Sequence, residues 1–279
     1  MRKDTLYITD LDGTLLNRQV EVTKTSACLL NECIKNGTGF TVATARTHAT
    51  VEKILQDVNV NWPVILMNGA LIYDLEKKEY VKIESIAPTL VEKLCGWMHQ
   101  YGIYGFLYTV ENNRMCTYYE KLATESMQKF YRERKEKYNK QFRQVRTLNE
   151  AADKNAVYIS MNHQKEKLEP VFALIKQEPG LDATLYQDIY EENRWYLEVF
   201  SHKASKKNGA SFLREYTGAD TLIGFGDNLN DLSLFEACDI TCAVENANAT
   251  VKEQADYVID SNEEDGVAKW IYESTQKNK

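Results

Sequence analysis

The chain's 279 residues carry 34 Lys+Arg against 41 Asp+Glu, a formal net charge of −7, with 43% hydrophobic and 27% charged residues. That composition is enough to bury a core and excludes a disordered chain. The acidic balance argues against a nucleic-acid binder, which needs clustered cations, and poses a problem for any phosphorylated ligand, which an acidic protein repels at long range.

The apolar run after Arg2-Lys3 is interrupted by Asp4 and Asp10, and the most apolar stretch, Val64 to Tyr73, is short and contains Asn68 and Gly69. Neither a secretory signal nor a membrane span is expected, and the reading is a soluble cytoplasmic protein. Six cysteines are scattered through the sequence with no C-x-x-C, and four histidines stand apart, so reduced core thiols are expected and a zinc site is not.

In chain order, Thr5 to Thr9 reads as a short buried strand running into Asp10-Leu-Asp-Gly-Thr14. A helix with Ala27, Leu30 and Ile34 on one face and Gly37 just past its end precedes a second strand, Phe40 to Thr44. Pro63 to Met67 makes a third strand, ending in Asn68-Gly69. Strand signals of the same kind resume at Thr221 to Phe225, Ile240 to Val244 and Tyr257 to Ile259. Alternating strands and helices predict an α/β core with a parallel sheet covered on both faces.

Between these halves the pattern changes. Thr89-x-x-Glu92 looks like a capping box for a helix carrying Leu90, Leu94 and Trp97, and a hairpin follows, Gly105–Thr109 and Met115–Tyr118, turning at Asn112-Asn113. Residues 85–194 are read as an inserted α+β domain, and 1–84 with 195–279 as the core. The insert holds 16 Lys+Arg and 15 Asp+Glu, leaving 18 against 26 in the core, so the acidity belongs to the core. A basic run from Lys129 to Arg146, interleaved with Phe130, Tyr131 and Phe142, is read as the solvated face of an amphipathic helix rather than a nucleic-acid surface. Tyr104, Phe106, Tyr118, Tyr186, Tyr190 and Trp195 make the insert aromatic-rich, and most of them are expected to build its core.

Asp10 and Asp12 follow one buried strand, and Gly226-Asp227-Asn228-Leu229-Asn230-Asp231 follows another. In an open parallel sheet such strand ends converge where ligands bind. Four carboxylates gathered there need a cation, and all-oxygen ligation suits Mg²⁺. One Asp can then act as a nucleophile towards a phosphate ester while the other serves as general acid and base. Taken singly, a D-x-D pair reads more readily as a solvated loop, and Arg46 as a surface or ion-paired residue. The combination of the two acidic clusters reverses the first of these readings.

These residues resemble the haloacid-dehalogenase-like phosphohydrolases. Asp10-Leu-Asp-Gly-Thr14 is similar to the family's D-x-D-x-T, Thr44 to its second motif, Lys206 to its third, and Gly226 to Asp231 to its G-D-x-x-N-D. The inserted domain, Asn68-Gly69-Ala70 and Asn246-Ala247 point to the Cof-type subgroup with a C2B cap. The resemblance implies a Rossmann-like core with an α+β cap that closes over the substrate. It also implies a Mg²⁺-dependent phosphatase of a small phosphorylated metabolite, a sugar phosphate or phosphorylated cofactor, acting through an aspartyl-phosphate. Asp10 would be the nucleophile; its carboxylate, the backbone carbonyl of Asp12, and Asp227 would bind the metal. Asp12 would be the acid and base, Asp231 would support the metal shell or Lys206, and Thr44, Ala45, Arg46, Asn68, Gly69, Lys206 and Asn230 would hold phosphate or substrate.

The sequence departs from the family pattern at Ala45, where glycine is common, at Lys207 after the lysine, and in Val244-Glu-Asn-Ala247, which lacks a methionine. Lys206 is preferred over Lys203 and Lys207. The rival readings are a sugar phosphomutase and a non-catalytic metabolite-binding regulator.

Overall fold

The computed structural model describes residues 5–138, 140–187 and 194–277. Two compact units form: Met1–Lys82 with Ala204–Lys279, and Ile83–Lys203. In chain order the first unit contains β1 (Thr5–Thr9), α1 (Lys24–Lys35), β2 (Gly39–Val42), α2 (His48–Ile54), β3 (Val64–Leu66), β4 (Leu71–Asp74) and β5 (Glu79–Ile83), whose last residue passes to the second unit. The second unit contains α3 (Pro88–Gln100), β6 (Gly105–Glu111), β7 (Arg114–Tyr119), α4 (Glu125–Tyr138), β8 (Gln141–Gln144), β9 (Ala156–His163), α5 (Lys165–Ile175), β10 (Leu181–Gln187) and β11 (Trp195–Ser201). The chain returns to the first unit with α6 (Lys206–Thr217), β12 (Thr221–Gly226), α7 (Leu232–Phe235), β13 (Ile240–Val244), α8 (Ala249–Gln254), β14 (Tyr257–Ile259) and α9 (Gly266–Lys277).

The first unit is built on a parallel sheet ordered β14-β13-β12-β1-β2. A parallel bridge from Ala43 to Ile65 sets β3 beside the end of β2, and β3, β4 and β5 form a separate three-stranded sheet. Alternation along β1 supplies both faces. Leu6 and Ile8 pack with Ile65, Ala210, Leu213 and Leu234, which draws α6 and α7 onto one side. Tyr7 points the other way, its ring 6.4 Å from those of Phe225 and Trp270, so α9 lies on the opposite side with α1. The Thr23 hydroxyl caps α1 by accepting from the Ser26 N–H, and Gly37, at φ +92°, follows its end.

The second unit is a six-stranded sheet ordered β10-β11-β9-β6-β7-β8, antiparallel except where β7 meets β8. Its core lies on the face carrying Leu107, Ile159, Met161, Leu197 and Val199, which packs on Leu94 and Met98 of α3 and Leu168 and Val171 of α5. On the other face α4 lays Phe130 against Phe106 at 5.0 Å, and Tyr131 against Phe142 at 4.8 Å. The basic run expected as a single amphipathic helix is therefore helical only to Tyr138, and Arg143 and Phe142 lie in β8. Asn112 and Asn113, both at positive φ, make the β6–β7 turn.

Three local expectations are corrected. Strand β11, placed with the core in the sequence reading, pairs with β9 and β10, so residues 195–201 belong to the second unit's sheet. Helix α3 starts at Pro88 with Ala87 as its unbonded N-cap, because proline at the first position fixes φ and sets Thr89 inside the first turn. The third strand ends at Leu66, since Met67 and Asn68 leave the extended region at φ +49° and +55°. Of the aromatic residues, Tyr118 and Trp195 join the apolar core, Phe106 faces α4, Tyr186 is exposed, and Tyr190 lies outside the described residues. No described helix is long and apolar enough to cross a membrane.

Leu107 is fully buried in the second unit's core. Leu107→Ala is expected to cost about 2–5 kcal/mol, measured by chemical denaturation; a loss under about 1 kcal/mol would contradict the packing described.

Candidate active site

Pairing Thr9 with Phe225 brings the ends of β1 and β12 side by side. The ladder runs one residue further, because the Asp10 N–H donates to the Phe225 carbonyl at 3.0 Å. The Asp10 carboxyl therefore springs from rigid backbone next to Gly226-Asp227. Gly13, at φ +81°, lets the β1 loop fold against Asp227, where a Cβ would stand 2.5 Å from Oδ2. Thr14 Oγ1 donates to Asp227 Oδ1 at 2.8 Å, Asn246 Nδ2 to the Gly13 carbonyl at 2.7 Å, and the Asn248 N–H to the Asp227 carbonyl at 2.8 Å.

Asp231 is fully buried. Its Oδ2 accepts the Asp227 and Asn228 N–H groups, each at 3.0 Å, which shapes the loop after β12. Its Oδ1 accepts from Lys206 Nζ at 2.6 Å, and the same ammonium donates to Asp10 Oδ1 at 2.5 Å. Lys206, fully buried, opens α6 behind the Ser205 cap. Gly69, at φ +98°, packs directly on that cap, and a Cβ there would fall 2.1 Å from the Ser205 carbonyl oxygen. The loop after β3 thus fixes the peptide that launches Lys206.

The loops after β2 and β3 are tied together. The Met67 N–H donates to the Arg46 carbonyl at 3.1 Å and the Asn68 N–H to the Thr44 carbonyl at 3.0 Å. Met67 and Asn68, successive non-glycine residues in left-handed backbone, hold strain of the kind that gathers at functional sites. Asn68 Oδ1 and Thr47 Oγ1 are buried there without a hydrogen-bond partner. Buried polar atoms are otherwise nearly always satisfied. Arg46 reaches Asp12 with a two-pronged ion pair, Nε to Oδ2 at 2.7 Å and Nη2 to Oδ1 at 2.6 Å.

Three carboxylates, Asp10, Asp227 and Asp231, offer oxygens within 4.8 Å of one another, a set that can hold a metal ion. Burial, with Asp231 and Asp227 adding to it, pushes the Asp10 carboxyl up to about 8 against the pull of Lys206. Burial, with help from Asp231, raises Asp227 to about 6. Burial acts to lower the Lys206 ammonium, but Asp10 and Asp231 outweigh it and raise it. Fully ionised, three carboxylates and one ammonium leave a formal charge of −2, which a divalent cation would cancel. A donor set of carboxylate oxygens suits a hard cation.

Of the expected residues, Asp10, Lys206, Asp227 and Asp231 meet directly. The Asp12 side chain is half exposed and bound to Arg46, outside the three-carboxylate group, so the expected gathering of four carboxylates is a gathering of three. Arg46 is thus ion-paired, as its single-residue reading had it. Thr44 is buried, its Oγ1 accepting the Arg46 N–H at 3.2 Å; Ala45 and Asn230 are exposed. Thr14 and Thr47 were missed, although Thr14 stands inside the quoted D-x-D-x-T pattern; nothing in the sequence marks Thr47.

The family model described as haloacid dehalogenase-like hydrolase matches residues 7–271. Pyridoxal phosphate phosphatase YbhA of Escherichia coli is 25% identical, covering 94% of this chain and 96% of its own length. Phosphatase YwpJ of Bacillus subtilis is 28% identical, covering 94% and 97%. A solved haloacid dehalogenase-like hydrolase from Bacteroides thetaiotaomicron shares the fold at a TM-score of 0.78 and 22% identity, covering 98% of this chain and all of that one. A match over nearly the whole chain, which includes the strand ends that set Asp10, Lys206, Asp227 and Asp231 together, places the protein in the haloacid dehalogenase-like hydrolase family.

Proposed function

We propose that this hydrolase is a Mg²⁺-dependent phosphatase of a small phosphorylated metabolite, working through an aspartyl-phosphate. The observation that carries the reading is the Lys206 ammonium buried between Asp10 and Asp231, with Asp227 completing a carboxylate cluster. A divalent cation among the three carboxylates, with Mg²⁺ the best match to an all-oxygen set, supplies positive charge that offsets theirs and that of an arriving phosphate.

Asp10 attacks phosphorus with a carboxylate oxygen, and the bond from phosphorus to the leaving oxygen breaks. Asp12 serves once it has left its ion pair with Arg46 and taken up a proton from water: it gives that proton to the leaving oxygen and then takes one from the water that cleaves the acyl phosphate, which returns Asp10 to a carboxylate and Asp12 to its protonated form. Until then Arg46 holds the Asp12 carboxylate. Lys206 holds Asp10 in place and spreads positive charge towards the transferring group, and the Thr44 and Thr47 hydroxyls and the Asn68 amide stand on the two tied loops as phosphate and substrate contacts. Such positioning and charge stabilisation is what phosphoryl transfer requires. Pyridoxal phosphate, which names one relative, belongs in the substrate panel alongside sugar phosphates.

The test is release of inorganic phosphate from p-nitrophenyl phosphate. Asp10→Asn and excess chelator are each expected to lower the rate at least about 10³-fold; wild-type rates under either condition would overturn the mechanism, and an isomerised ester with little free phosphate would favour a mutase.

A second expectation concerns pH. Asp10 and Asp227 have folded-state values raised above 3.8, so the metal-free fold keeps its full stability only below the ordinary carboxylate range. It loses that stability as pH rises through about 6 and then about 8. Mg²⁺ must compete with these protons, so it is expected to bind more tightly, and to raise the melting temperature more, at pH 8.5 than at pH 5.5. Asp227→Asn should flatten the pH dependence of stability by on the order of 2 kcal/mol. Equal Mg²⁺ stabilisation at both pH values would contradict the assignment.

A further inference from the structure

The loop between β13 and α8 carries Asn246, an exposed residue that joins three distant parts of the first unit. Its Nδ2 donates to the Gly13 carbonyl at 2.7 Å, and its Oδ1 accepts the Asn262 N–H at 3.0 Å. The amide is held at both ends and cannot turn without losing a bond. Asn262 in turn donates through Nδ2 to the Leu16 carbonyl at 2.7 Å, and the neighbouring Glu263 accepts the Arg18 N–H at 2.7 Å. Three points along the loop after β1 are thereby tied to the C-terminal part of the chain.

Two residues beyond Asn246, the Asn248 N–H donates to the Asp227 carbonyl at 2.8 Å. The β13–α8 loop therefore grips both sides of one close contact. On one side is Gly13, where a Cβ would stand 2.5 Å from Asp227 Oδ2; on the other is Asp227 itself. The backbone after Asp10 turns sharply, with the Thr14, Leu15 and Leu16 N–H groups all donating to the Leu11 carbonyl at 3.3, 3.1 and 2.9 Å. A turn folded on one carbonyl can rock about it, and the bond from Asn246 stops that motion at the residue touching Asp227.

An exposed amide is not needed merely to satisfy these groups. Water can take a hydrogen bond to an exposed carbonyl at little net cost, but it does not fix the direction of the peptide. Asn31 makes the same pair of bonds elsewhere, donating to the Asp57 carbonyl at 2.9 Å and accepting the Asn59 N–H at 2.7 Å, and there the bonds only tie α1 to the segment between α2 and β3. We propose that Asn246 is a positioning residue of the carboxylate site: its doubly held amide fixes the Gly13 peptide against Asp227, and with it the placing of Asp227 and of the Asp12–Thr14 turn. The inference deepens the proposed function and rests on it where metal and rate are concerned.

Asn246→Ala and Asn31→Ala, compared with the unaltered chain, test it. Each loses the same two kinds of bond, so their melting temperatures are expected to agree within about 3 °C. Asn246→Ala alone is expected to lower kcat on p-nitrophenyl phosphate by about 10-fold or more with KM within about twofold, because misplacement of reacting groups costs rate rather than affinity. It should also raise the Mg²⁺ concentration that gives half of the thermal stabilisation by about fivefold, and speed hydrogen exchange of the Thr14, Leu15 and Leu16 amides by about fivefold or more. Asn246→Asp keeps an oxygen for the Asn262 N–H and loses only the donor to Gly13; it should match Asn246→Ala in exchange, and decides the matter if the alanine variant folds poorly. Equal changes in Asn246→Ala and Asn31→Ala, unchanged exchange in Asn246→Ala, or faster exchange with kcat and the Mg²⁺ requirement unmoved would overturn the proposal. Exchange is read without metal or turnover. A chain that releases no phosphate at all therefore sinks only the phosphatase reading, and the three amides together with Mg²⁺ stabilisation still decide on Asn246.

Discussion

An ammonium group with no water around it must have its charge met by protein, and Lys206 has no exposed surface at all. Removing such an ion from water costs several kcal/mol, recovered only by close, well-directed carboxylates. Asp10 and Asp231 provide them, and each is itself buried, so the three groups are mutually dependent. Much of the first unit's local architecture serves this arrangement. The β1–β12 register carries Asp10 to it, the backbone of Asp227 and Asn228 orients Asp231, and Gly69 gives the Ser205 peptide room to lie against the β3 loop.

The same constraint bears on how an acidic protein would receive the phosphate ester of the proposed function. The negative charge is concentrated in the parts of the chain that build the parallel sheet, and three of its carboxylates converge at one set of strand ends. With all three ionised, a single lysine leaves that group at −2, a charge that the divalent cation of the proposed function would cancel, and the sign of the local field would then differ from that of the whole protein. Asp12 stands apart from this balance, neutralised by its own arginine.

The inserted unit's sheet has two unlike faces. The apolar face, packed on α3 and α5, holds the unit together; the opposite face carries Glu198, Asn162 and tyrosine hydroxyls because stability does not depend on making it apolar. Strand alternation permits both faces in the same residues of sequence. It also explains why the aromatic content of the insert was a poor guide by itself: Tyr118 and Tyr158, similar in the sequence, lie on opposite faces.

The sequence by itself determined the α/β core, its parallel strands and Asp10, Asp227 and Asp231 at their ends, because short apolar strands followed by Asp-x-Asp or Gly-Asp are local patterns; Lys206 was legible only through the resemblance to the family, and β4 and β5 were not read at all. Gly37 after α1 and the Asn112-Asn113 turn were legible for the same reason. Tertiary structure alone decided what depends on partners distant in the chain. Strand β11 joined the insert because its hydrogen-bonding edges are completed by β9 and β10, which no local pattern announces. Asp12 left the carboxylate cluster because Arg46, 34 residues away, offers a matched fork, and Thr47 stands out only once its burial without a partner is seen. Composition and spacing determine which groups are available, whereas desolvation and pairing, which set their charge and roles, arise only when the chain brings them together.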